Sequence, residues 1–114
     1  MNNLNKETTE RIIEIINSIG KETYLEILFV FERDFKKIIE DTKNNPSHLD
    51  FNLHQLKGQC YAVGFQTLGK YIDKLQSTAM QGATMTVYSH LKDLKESIST
   101  HILSVRDDLS ELHH

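Results

Sequence analysis

A single proline, a single cysteine and no tryptophan already narrow what this chain can be. One cysteine, Cys60, excludes an internal disulfide and any zinc site built from several cysteines, and a reducing, cytoplasmic setting is expected. No apolar run approaches the ~20 residues that cross a bilayer, so membrane insertion is not expected. The opening "MNNLNKETTERI" lacks the apolar core of a signal peptide. Nor is there a surplus of positive charge. Thirteen lysines and arginines stand against 16 acidic residues, a net charge of −3 spread along the chain, which argues against a nucleic-acid partner. The phosphate-loop pattern G-x-x-x-x-G-K is missing, and with it the expectation of an ATP-binding enzyme. Alternating β-type runs are missing too.

What is present is helical periodicity over one domain of 114 residues. Ile12, Ile15, Ile16 and Ile19 predict a helix over 9–19 that stops at Gly20. Tyr24, Leu28, Phe31, Phe35, Ile38 and Ile39 predict a second over 21–43, closed by Asn44, Asn45 and Pro46. Leu49, Leu53, Leu56, Cys60 and Val63 mark a third over 47–63, opened by Ser47 with Asp50 in a capping arrangement and ended by Gly64. Leu68, Ile72, Leu75 and Ala79 mark a fourth over 65–80. Val87, Leu91, Leu94, Ile98, Ile102, Val105, Leu109 and Leu112 mark a fifth over 84–112. The expected fold is therefore all-α: an antiparallel up-and-down four-helix bundle with an additional short N-terminal helix.

The third helix holds the chemistry. A glycine inside a helix costs about 1 kcal/mol relative to alanine, yet Gly58 stands there one turn after His54. At about 100° per residue His54 falls outside the apolar stripe, with Lys57 about 60° to one side, Gly58 about 40° to the other and Tyr61 nearly in line. A neutral imidazole is a good nitrogen nucleophile near pH 7. If it accepts a phosphoryl group, the nearby ammonium neutralises part of the charge on the phosphoryl oxygens. A partner protein must bring its own site against the ring, and glycine leaves room for its backbone.

The stretch "HQLKG" followed by Gly64, His-x-x-Lys-Gly-x5-Gly, closely resembles the histidine-containing phosphotransfer domains of two-component phosphorelays, and the likeness covers nearly the whole chain. The resemblance implies that His54 is the phosphoryl acceptor, Lys57 its charge partner, Gly58 the clearance for docking and Gly64 the end of the motif helix. It also implies that Gln76, 22 positions after the histidine, orients the imidazole through its other nitrogen. Implied partners are response-regulator receiver domains and an upstream hybrid sensor histidine kinase, touched through an apolar patch for which Tyr61, Phe65 and Leu68 are the candidates. No cofactor of its own is implied, since Mg²⁺ sits on the receiver, and a monomer is expected. Leu53 before the histidine, and Gln59, Cys60 and Tyr61 after Gly58, depart from the small residues common in that family.

Bland alternatives are available for every other feature. His48, His90 and His101 lack metal-ligand spacing and are expected at the surface. Cys60 is expected in the core. Most of "YLEILFVFERDF" is expected in the core, with Phe29 and Val30 off its main stripe. A bundle that acts as an adaptor or dimerisation module, with His54 incidental, is the competing function.

Overall fold

The computed structural model describes residues 5–111, all of them helix or short connection, with no strand among them. Five helices follow one another: α1 (Lys6–Ile19), α2 (Lys21–Asn44), α3 (Leu49–Ala62), α4 (Gln66–Met80) and α5 (Thr84–Ser110). A single 3-10 turn, Pro46–His48, precedes α3. Leu112, assigned to the last helix by its spacing, and the terminal His113 and His114 lie outside the described residues.

Local chemistry sets the boundaries. The Asn5 side chain accepts from the Thr8 amide at 2.9 Å, so α1 begins three residues earlier than its isoleucine spacing predicts. Gly20, at φ 90°, turns the chain directly from α1 into α2, and its N–H returns to the Ile16 carbonyl. Pro46 removes the donor and the backbone freedom that α2 would need to continue. The predicted Ser47 cap is not formed: Ser47 lies inside the 3-10 turn, and α3 starts at Leu49 with no side-chain cap. That corner is held instead by Asp41, whose carboxylate accepts from Asn45, His48 and the buried Asn52. These bonds hold the Asp41 carboxyl below its ordinary pKa, Asn52 contributing most.

Gly64 ends α3 at φ 89°, with the Phe65 amide bonded back to the Cys60 carbonyl at 2.8 Å. A side chain on Gly64 would meet Ile12 of α1 at 3.1 Å, so this glycine serves both turn and packing. The buried hydroxyl of Tyr24 donates to the Val63 carbonyl at 2.6 Å, tying α2 to the same turn.

Each of α2, α3, α4 and α5 packs on two others, in the ring α2–α3–α4–α5–α2, and α1 lies across α2 and α4. The predicted stripes line the shared core: Leu28, Phe35, Leu53, Leu56, Ile72, Leu91, Ile98 and Ile102 are all buried. Ile12 is the α1 residue that enters it. The result is an elongated helical bundle of 46 × 23 × 21 Å.

Candidate functional site

Because Leu49, Leu53, Leu56, Cys60 and Val63 are buried, α3 turns the opposite side of its wheel outward. His54, Gly58, Phe51 and Ala62 share that outer face and are exposed. A Cβ built on Gly58 would meet nothing within 4 Å. Nothing in the fold itself therefore requires glycine at this position.

On the α4 side of His54 the surroundings are polar. Lys57 Nζ lies 3.1 Å from Asp73 Oδ1, across the α3–α4 seam. Gln76 Nε2 donates to Asp50 Oδ1 at 3.2 Å, one helical turn before the histidine. Gln76 thus holds Asp50 rather than the imidazole, and among the described residues His54 has no hydrogen-bond partner.

On the α2 side apolar side chains are flanked by Thr23, Glu26 and Asp34. Phe51 is 64% exposed, one turn before His54. A groove of about 390 Å³ follows between α2 and α3, bordered by Ile27, Val30 and Ala62. Gln59 lines it too, and its side-chain oxygen is buried without a hydrogen-bond partner.

The three residues named from sequence as a docking patch are placed differently. Phe65 is a core residue, 1% exposed, with its ring edge-on to Phe31 at 5.3 Å and to His101 at 4.9 Å. It follows the Gly64 turn, which aims it inward. Leu68 is half-buried and faces α5, beside Leu94, Ile98 and His101. Tyr61 stays near the surface but is occupied, its ring lying over Gly69 of α4.

Sequence reasoning missed Phe51, Asp73 and Gly69. Phe51 carried a signal, as an aromatic off the apolar stripe of α3; so did Gly69, as a second mid-helix glycine. Asp73 carried none, since only the turn at Gly64 brings it opposite Lys57.

The other histidines divide. His48 is exposed, with Nδ1 2.8 Å from Asp41, and the exposed ring of His90 stands edge-on to Tyr71. His101, expected at the surface, is half-buried against Phe65, and burial lowers its pKa. Cys60 is buried, as its stripe position requires, and burial pushes its thiol up to about 12. Such a thiol is not a nucleophile near neutral pH.

Among the described residues no helix is long and apolar enough to cross a membrane. Compared with protein-family models, with curated proteins and with solved structures, the chain matches none.

Proposed function

We propose that this chain is a histidine phosphotransfer module, carrying a phosphoryl group on His54 and exchanging it with aspartates of response-regulator receiver domains. The observation that carries the reading is the pairing of an exposed His54 with a Gly58 that no internal contact demands. A residue that weakens its helix without serving the fold is best explained by something that approaches from outside.

The finer architecture that goes with this reading is an antiparallel up-and-down four-helix bundle with α1 as an added N-terminal helix. Cross-helix contacts support it. Lys21 reaches the Leu109 carbonyl and Glu40 meets Lys95, so α2 and α5 run in opposite directions. Asp50 with Gln76 and Lys57 with Asp73 likewise support opposite directions for α3 and α4.

In the transfer step, the unprotonated ring nitrogen of His54 attacks the phosphorus of a receiver's aspartyl phosphate. The N–P bond forms as the acyl-phosphate P–O bond breaks, and the aspartate leaves as a carboxylate. The second ring nitrogen keeps its proton, so the ring of the phosphorylated residue is cationic. Mg²⁺ belongs to the receiver's acidic site, and the chain is a carrier without ATP chemistry of its own. Lys57 supplies a positive charge beside the ring once it turns from Asp73. That exchange is cheap, since ion pairs with an exposed member are worth about 0.2–1 kcal/mol. The receiver docks over Phe51, Gly58 and Ala62 and reaches Ile27 and Val30, in place of Phe65 and Leu68. A cytoplasmic monomer is the form proposed, fed by a hybrid sensor histidine kinase.

The deciding experiment follows labelled phosphate from a phosphorylated receiver, or from a hybrid kinase with ATP and Mg²⁺, onto the purified chain. Acid-labile, alkali-stable label on wild type and none on His54→Gln is the expected result. No label from several donors, with circular dichroism showing an intact fold, would replace this reading with a non-phosphorylated adaptor or dimerisation module.

A further inference from the structure

A second concavity, of about 890 Å³, lies between α2 and α5 and takes none of its lining from α3. It is larger than the groove beside Gln59, and its volume falls in the range of ligand clefts. Ile39 and Leu91, both buried in the core, form its floor. Met85, 78% exposed, and Tyr88 form an apolar wall at the Pro46 end. Methionine suits a surface that must adapt to another apolar surface.

The rim is basic. Four lysines, Lys36, Lys43, Lys92 and Lys95, face two glutamates, Glu40 and Glu96. Lys95 is paired with Glu40 at 2.5 Å, and Lys36 with Glu32 at 3.2 Å. Lys43 and Lys92 are exposed and form no ion pair among the described residues, although Lys43 is near enough to help lower the Glu40 pKa. With Glu32 included, four lysines face three glutamates here, so a chain of net charge −3 carries a surplus of one positive charge around its larger groove.

The spacing of these charges selects the occupant. The groove follows α5 from Met85 to Ser99, about 21 Å at 1.5 Å per residue. Lys36 and Lys43 are seven positions apart on α2, about 10 Å or two turns, which matches two carboxylates two turns apart on another helix, one of which would take the place of Glu32 on Lys36. A fatty acid, with one charge at one end, would meet only one of them. We propose that the α2–α5 groove seats an amphipathic helical segment of a partner protein, with its apolar stripe inward and acidic residues along its flanks. The site is independent of the phosphotransfer reading and uses no residue of α3.

The test titrates the full chain with a synthetic helix of about 14 residues, leucines at helical spacing and glutamates on both flanks. Binding is followed by calorimetry and by amide shifts in NMR spectra. Saturable shifts centred on Ile39, Met85 and Leu91 are expected, with a lysine-flanked version of the peptide at least about tenfold weaker. The double variant Lys43→Glu, Lys92→Glu, exposed at both positions, should lose at least about tenfold in affinity, whereas His54→Gln binds as wild type. Equal binding of the two peptides, shifts centred elsewhere, or saturable binding of dodecanoate but of neither peptide would overturn the proposal. Failure here leaves phosphoryl transfer to His54 intact, and loss of phosphoryl acceptance leaves peptide binding intact, so the two readings fail separately.

Discussion

The ring of Tyr61 fills the space that a side chain at position 69 would need: a Cβ on Gly69 would come within 2.6 Å of Tyr61 Cε1. Two glycines on neighbouring helices therefore differ: packing requires Gly69, and no contact within the fold requires Gly58. Gly58→Ala should stabilise the fold by up to about 1 kcal/mol. Gly69→Ala must displace the ring, at about 1–3 kcal/mol, and should cancel or reverse that gain. Urea midpoints of both variants decide the matter. In a Tyr61→Ala background, Gly69→Ala should recover the helical gain; no coupling between the two changes would mean that the contact is unimportant.

Substitutions on the outer face should separate transfer from folding. Gly58→Arg is expected to slow transfer from a phosphorylated receiver at least about tenfold, while helix propensity favours the fold. Lys57→Ala should slow transfer as well, with stability within about 0.5–1 kcal/mol of wild type, because its Asp73 partner is exposed. Single-turnover rates beside urea midpoints measure both, and a Gly58→Arg variant phosphorylated at the normal rate would refute the clearance argument.

The Tyr24 hydroxyl is the buried donor for the Val63 carbonyl at the end of α3. Burial raises its pKa, so it stays a neutral donor over the accessible range. Tyr24→Phe keeps the ring and strands a carbonyl, which should cost about 1–3 kcal/mol in urea unfolding.

His101 gives the fold an acid sensitivity separate from that of its carboxylates. Burial against Phe65 lowers its folded pKa below the ordinary imidazole value of about 6.5. The unfolded chain then binds the proton more readily. Stability should be full above about pH 6.5 and decline as pH falls towards the lowered value. Glu32, Glu40 and Asp41, whose pKa values are lowered by their hydrogen bonds, act in a lower window, from the carboxylate range downward. Unfolding midpoints between pH 7 and pH 5 should fall less in His101→Leu than in wild type.

Most of the helical plan was legible because it is written in local periodicity. The stripe of α2 and the stripe of α3 each name their buried residues, and Gly20 and Gly64 mark the stops that positive φ requires. The outward placement of His54 and Gly58 follows from the same wheel. What stayed illegible depends on which helix lies opposite. Periodicity cannot say that Asp73 faces Lys57, that Asp50 takes the Gln76 amide, or that the Gly64 turn folds Phe65 beneath His101. Ser47 satisfied a local capping rule and was overridden by Pro46, whose 3-10 turn left the corner to Asp41 and Asn52.

Ile12 rests on the backbone of Gly64, while the Lys70–Glu7 pair and the Thr8–Thr67 contact pin the rest of α1 along α4. The first helix thus contacts the hinge between α3 and α4, more than forty residues later in the chain, and the two are expected to open together. Their amides should exchange with solvent at a common rate, and loosening α1 should release the end of the motif helix before the far end of the bundle opens. An event at the N-terminus would then be felt at the histidine's own helix as a change in its fraying rather than in its position.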